Sequence, residues 1–374
     1  MFNTLHKSLA LSVVSAALFA SPVQAAIAVT PFSGLVIFGD SLSDTGNVLS
    51  LTTQFTTFPF PRFPGAAGRF SDGKVWTEYL AEGLGLTNAA KSANLYHDAA
   101  NTFNNVVAIG APGGSNFAYG GARTGLGGAA GATTGLGSQL VNWNGSLFGT
   151  SLTRAADPNA LYVVVAGAND LRDARSSFAT GTAEHAAARS SAASAVAWNV
   201  VNSVSLLANA GARHFLISNL PDLGKTPEAT FLGRSAASTD ITLKFNSALL
   251  ANAGAFDSFF QSRTGVDLDI RTLDFYGLNE KVAANPAAYG ISNLTLPCIT
   301  LGSSTGQYFA PDAIGNGCAV SAFSDPLHPS SRSHQLLGQL AITTAVPEPS
   351  SIAMMAMGIL VIGGIVRRRR VSAA

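Results

Sequence analysis

The stretch "LVIFGDSLSDTGN" occupies residues 35–47, and its reading decides the fold. Leu35 to Phe38 form an unbroken apolar run, as expected of a strand buried on both faces of a parallel sheet. Gly39, Asp40 and Ser41 follow directly, so a buried strand ends by presenting a carboxylate and a hydroxyl at its carboxyl edge. Such residues by themselves signify only a turn or a helix cap. Ser41 becomes a nucleophile only if other parts of the chain supply its partners.

Further along, "ALYVVVAGAND" (160–170) is another continuous apolar run, "RHFLISNLPDLGKTP" (213–227) a strand entering a loop, and "VDLDIRTLDFYG" (266–277) a third strand. Between them, Val196, Val200, Val204 and Leu207 recur at helical spacing and predict a helix over Ala183–Asn209. A second helix is expected near Thr239–Ser262. After Asp72, "GKVWTEYLAEGLG" predicts a helix with Val75, Tyr79 and Leu80 on one face, closed by Gly83 or Gly85. Residues 49–70 and 121–137, rich in Phe, Pro, Thr, Gly and Ala, read as loops, and "NNVVAIGAPGGSNFAYGGA" (104–122) as extended segments broken by turns. Strands alternating with helices argue for one α/β domain, with ligands beyond the carboxyl ends of its strands.

The polar residues gather at those ends. Strand one gives Asp40-Ser41, "NFAYGG" ends in Gly120-Gly121, and "LYVVV" runs into Gly167-Ala168-Asn169-Asp170. Near the end of the fold Asp325 precedes His328 by three residues, and Pro329 reads as the first residue of a helix. A serine nucleophile needs a base, the base an orienting acid, and the oxyanion a set of fixed donors. The four blocks supply one candidate for each.

In this order the blocks resemble the GDSL (SGNH) family of lipases and esterases, over roughly residues 35–340. Gly39-Asp40-Ser41-Leu42 with Asp44, Gly46 and Asn47 matches the first block, Asn116–Gly121 the second, Gly167–Asp170 the third and Asp325–His328 the fourth. The resemblance implies a flavodoxin-like three-layer α/β/α sandwich with a central parallel sheet, and cleavage of carboxylic esters through an acyl-enzyme. It makes Ser41 the nucleophile, His328 the general base and Asp325 the residue that orients it. The oxyanion hole would comprise the backbone N–H groups of Ser41 and Gly121, with Gly120 as the alternative, and the Asn169 side chain. Asp44, Asn47 and Asp170 match the family as well, in catalytic support or in loop hydrogen bonding. No cofactor or metal is implied. The other function class on this fold is an inactive surface or matrix binding protein.

Other motifs carry less. Gly302-Ser303-Ser304-Thr305-Gly306 fits the G-x-S-x-G elbow, but too little chain follows to build the sheet that elbow requires. Gly224-Lys225-Thr226 lacks the first P-loop glycine, and Pro227 reads as cutting off the helix that should follow. His97, His185, His214 and His334 show no metal-ligand spacing. The Phe-rich loop over 55–70 reads equally as an acyl-binding lip or as packing.

The two ends read as addresses. Lys7, the apolar run from Leu9 to Ala20 and Val23-Gln24-Ala25 make residues 1–25 a signal peptide, which leaves 26–345 as the hydrolase domain. Residues 346–374 begin Val346-Pro347-Glu348-Pro349, continue in the uncharged Ile352–Val366 and close on Arg367–Arg370. That tail resembles a PEP-CTERM sorting signal. The resemblance implies recognition and removal by an exosortase, transient inner-membrane contact, and passage through the periplasm to the surface or matrix; an unprocessed chain would stay anchored. Without both ends the net charge falls from +1 to −3, which is no footprint for nucleic acid. With 47% hydrophobic and 11% charged residues the chain is not of the disordered class. Cys298 and Cys318 are the only cysteines, and in an exported chain they are expected to pair.

Overall fold

The computed structural model describes residues 32–57, 59–63, 65–100, 106–145, 152–300, 314–315 and 317–346. Residues 1–25, expected as a signal peptide, the tail beyond Val346 and the Gly302–Gly306 motif lie outside them. Four parallel strands pair in chain order: β1 (Leu35–Gly39), β2 (Leu161–Val165), β3 (His214–Ser218) and β4 (Asp269–Leu273). Parallel neighbours need a crossover, and each link is helical. Helices α1 (Asn47–Phe55), α2 (Trp76–Gly83) and α3 (Leu136–Asn144) lie between β1 and β2. Next come α4 (Ala168–Ser177) and α5 (Ala183–Asn209), then α6 (Pro227–Phe231) and α7 (Ser235–Thr264). After β4 follow α8 (Phe275–Ala284), the strands β5 (Asn293–Pro297) and β6 (Ser321–Phe323), and α9 (Ser331–Ala345).

Side chains on a strand alternate between faces, which sorts the core into two halves. Phe38, Tyr162, Val164, Phe215 and Ile217 pack with Leu140 of α3, Val200 of α5 and Phe245 of α7. On the opposite face Ile37, Leu161, Val163, Leu216 and Leu273 pack with Trp76 and Leu80 of α2, Phe275 of α8 and Ala341 of α9. The result is a three-layer α/β/α sandwich with a central parallel sheet.

The free edge of β1 is not left bare. Ile37 N–H donates to Ser115 O (2.9 Å), Phe117 N–H to Ile37 O (2.7 Å) and Tyr119 N–H to Gly39 O (3.2 Å). This irregular rung carries the Asn116–Gly121 block to the same sheet end as Ser41. From α3, the Gln139 amide accepts from Gly39 N–H (2.8 Å) and donates to Gly39 O (2.7 Å), clamping the last strand residue before the turn.

Four expectations need correction. Residues 49–55, expected as loop, belong to α1: Asp44 accepts the N–H groups of Gly46, Asn47 and Val48, and burial of Val48 and Leu51 overrides the weak helix propensity of the threonines. The strand expected over 266–277 stops at Leu273, because the Asp274 carboxylate accepts Gly277 N–H (2.9 Å) and starts α8. Pro329 lies one residue outside α9, whose cap is Ser330. Pro227 opens α6 rather than blocking a helix, with Thr226 Oγ1 accepting Ala229 N–H (3.2 Å).

Candidate active site

Ser41 lies two residues beyond β1, and His328 lies in the turn between β6 and α9. The fold brings Ser41 Oγ to 2.9 Å from His328 Nε2, and His328 Nδ1 to 2.7 Å from Asp325 Oδ2. All three residues are buried. The second Asp325 oxygen accepts the N–H groups of Leu327 (2.7 Å) and His328 (2.6 Å). One carboxylate therefore both closes the turn and holds the ring. Burial alone would push the Asp325 carboxyl up; the His328 ring and the two backbone donors outweigh it and hold the group below its ordinary value. An ionised carboxylate only accepts, so the proton on this side sits on Nδ1, and Nε2 is free to accept from the Ser41 hydroxyl.

The turn is anchored on both sides. Asp72 accepts Ser324 Oγ–H (2.5 Å), Ser331 N–H (2.8 Å) and Ser331 Oγ–H (2.6 Å), gripping residues before and after His328. Cys298 and Cys318 form a disulfide, and the Cys298 and Ile299 N–H groups donate to Phe323 O (3.0 Å) and Ser324 O (2.8 Å). Phe70 lies against the His328 ring, with centroids 5.2 Å apart.

Asn169 enters from the first turn of α4. Its Nδ2 donates to Ala122 O (3.0 Å), and its Oδ1 accepts from Arg172 Nη1 (3.2 Å). The two candidate glycines separate clearly. Gly120 N–H donates to Asp44 Oδ2 (2.9 Å) and is thereby committed. Gly121 has a left-handed φ of 74°, and a Cβ there would come within 2.6 Å of Ala129 Cβ, so only glycine fits. The Asp44 carboxylate, raised to about 6 by burial against its four backbone donors, pins α1 and Gly120. Asn47 Nδ2 donates to Asn116 O (2.9 Å) and Ala118 O (2.8 Å), and Asp170 accepts from Thr124 N–H and Oγ–H. These three hold the turns that carry the site.

Sequence reasoning missed Arg172, Glu228 and Gln139, while Phe70 belongs to the Phe-rich loop read as an acyl-binding lip or as packing, and it lies against the His328 ring and lines the cavity beside Ser41. Arg172 had a readable signal, three residues after Asn169 on one helix. Glu228, from the remote α6, had none. The four other histidines among the described residues each contact ordinary structural partners, as in His97 Nδ1 with Ser138 Oγ (3.0 Å) and His214 Nδ1 with Asp269 Oδ2 (3.0 Å).

Two cavities meet at Ser41, Asn169, Arg172 and His328. One, of about 360 Å³, runs between α8 and α9. The other, of about 310 Å³, is lined by Gly120, Gly121, Phe60, Phe70, Arg172 and Glu228 among others. A hydroxyl hydrogen-bonded to an oriented imidazole, with amide donors facing the same space, is the equipment of acyl transfer.

Residues 35–341 match the GDSL-like lipase/acylhydrolase family. The chain belongs to the GDSL family. Residues 345–370 match the PEP-CTERM protein-sorting motif, which indicates export and sorting to the cell envelope. A thermolabile hemolysin of Vibrio parahaemolyticus is 26% identical over 82% of this chain, which spans 62% of that protein. The anther-specific proline-rich protein APG of Brassica napus is 28% identical over 80% of this chain and 69% of its own. A GDSL esterase/lipase of Arabidopsis thaliana is 28% identical over 82% and 89%. Among solved structures, a carbohydrate acetylesterase of Sinorhizobium meliloti covers 83% of this chain and 96% of its own, with 15% identity and a TM-score of 0.36. The GDSL match extends from β1 into α9, so it spans every block that meets at Ser41.

Proposed function

We propose that this GDSL-family chain is an exported serine hydrolase that cleaves carboxylic esters through an acyl-enzyme. One observation carries the reading: the hydrogen-bonded series Ser41–His328–Asp325 stands at the carboxyl end of the sheet beside the Asn169 amide. Ser41 Oγ attacks the ester carbonyl carbon while His328 Nε2 takes its proton. The carbonyl oxygen, now an anion, is received by the N–H groups of Ser41 and Gly121 and by Asn169 Nδ2. The C–O bond to the alcohol breaks as His328 returns the proton to the departing oxygen. Water then attacks the acyl-Ser41 ester, with His328 as base again, and releases the acid. Asp325 holds the ring and stabilises its charged form throughout.

The same proposal assigns residues 1–25 to a signal peptide, 26–345 to the hydrolase and 346–374 to a tail that an exosortase removes on the way to the surface or matrix. The test of the activity is hydrolysis of a short-chain p-nitrophenyl ester by the purified chain and by its Ser41→Ala variant. Equal rates in the two, or no hydrolysis by either, would leave a binding protein on a hydrolase fold.

A further inference from the structure

The larger of the two cavities has walls that sort its ligand. Leu42, Leu220, Phe275, Leu278, Val282 and Leu336 make much of its lining apolar, with Thr230, Asn279, Thr295 and Ser333 set among them. Its arginine and lysine are both paired within the protein. Arg172 is bound to Glu228, and Lys225 to Glu280. Asp222 accepts from Gly224 N–H (2.8 Å) and Thr239 Oγ–H (2.7 Å). Asp40 accepts from Leu42 N–H (3.0 Å), and its other oxygen is buried without a hydrogen-bond partner. A phosphate entering here would lose its hydration and find Arg172 and Lys225 already paired with carboxylates. A hydrocarbon chain would lose nothing.

The second cavity differs. It has fewer large aliphatic groups and is lined by Gly120, Gly121, Phe60, Phe70, Arg172 and Glu228 among others. An ester bound across Ser41 places its acyl carbon chain on one side and its alcohol on the other. Resting on the serine-hydrolase reading above, we infer that the cavity between α8 and α9, the one richer in large aliphatic side chains, takes a medium-length, unbranched acyl chain, and that the alcohol lies in the glycine-lined cavity. The length follows from volume. At ~30 Å³ per heavy atom, the share of a water molecule in the liquid, the space holds roughly a dozen atoms. This is too large for selectivity toward acetate and too small for palmitate.

Each methylene moved from water into the cavity is expected to raise kcat/KM roughly four-fold until the space is full. The experiment measures kcat/KM for p-nitrophenyl acetate, butyrate, octanoate, dodecanoate and palmitate with the full chain. The expected profile climbs from acetate, peaks at octanoate or dodecanoate and falls at palmitate. Val282→Trp, which fills the cavity from α8, moves the peak toward shorter chains; Leu336→Phe does the same from α9 if the first variant folds poorly. Acetate cleaved with a flat or falling profile, or a folded variant that slows all lengths alike, overturns the acyl assignment while leaving Ser41 as nucleophile. Failure to cleave any ester, acetate included, overturns the hydrolase reading and this one with it.

Discussion

Arg172 Nη1 donates to Asn169 Oδ1 across 3.2 Å, while Glu228 accepts from Nε of the same guanidinium (3.0 Å) and from its Nη2. Arg175, almost fully buried, holds the other side of Glu228 (2.5 Å). The amide of Asn169 is thus fixed with its NH₂ group toward Ala122 O and the space beside Ser41. Replacing Asn169 by Ala should lower kcat by roughly 10²–10³ with little change in KM, the loss of one oxyanion donor. Arg172→Met should cost about ten-fold in kcat, with Arg172→Lys intermediate. In the double variant the two losses should not multiply, because both act on one amide. Fully additive losses would show that Arg172 acts by another route.

Ser41→Ala should reduce kcat by on the order of 10⁴–10⁶ while the chain stays folded. Ser304→Ala, in the rival G-x-S-x-G motif, should leave hydrolysis close to wild type. Steady-state kinetics with circular dichroism on both variants decides between the serines. Equal losses in two folded proteins would reverse the assignment.

The Cys298–Cys318 link lies just before the strand that leads to Asp325, so its loss should be felt at the site. In the chain-entropy account, closing a loop of this size is worth ~3 kcal/mol. Reduction, or Cys318→Ser, should lower the unfolding free energy by about that amount and slow hydrolysis through a looser His328 turn. Urea titration and rates with and without reductant measure both effects. A stability loss with unchanged kcat would separate the disulfide from the site.

Asp40 gives stability a definite pH dependence. Burial raises its carboxyl from 3.8 to about 6. The folded chain therefore keeps this proton where the unfolded chain releases it. The stability it contributes is full below ~4 and lost as pH rises through about 6. Asp44 is shifted the same way. Asp325, Glu228, Asp240 and Asp269 are shifted down and act in the opposite sense, their contribution disappearing only as pH falls through their lowered values. Burial holds the His334 ring down to about 3, which favours higher pH, so the test is a difference: the stability gap between wild type and Asp40→Asn should widen by roughly 1 kcal/mol from pH ~8 to pH ~5. An unchanged gap would mean that Asp40 titrates normally.

Much of the frame was readable because the informative residues are consecutive. β1, β2 and α5 each announce themselves by a local pattern, and Ala183–Asn209 appears with the bounds its apolar spacing indicates. The blocks around Ser41, Asn169 and His328 are short linear signals at strand ends. The elements that escaped depend on distant partners. α1 is poor in helix-forming residues and needs Asp44 and a buried face; α8 needs the Asp274 cap inside what reads as strand. Glu228 reaches Arg172 only because α6 folds back toward α4, and nothing adjacent to either residue in sequence encodes that meeting.

The rung formed by residues 115–119 along β1 also bears on how this chain behaves at high local concentration. An uncovered edge is a template onto which another chain can add a strand. Here one flank is already occupied by the chain's own backbone. The opposite flank, β4, carries Asp269 and Arg271, paired with each other at 2.7 Å, and Arg271 also reaches Thr344 O (3.2 Å) at the end of α9. One side is filled and the other is guarded by charge. Neither flank therefore offers a bare, flat edge for strand addition, and this protection comes from the topology instead of from a large net charge.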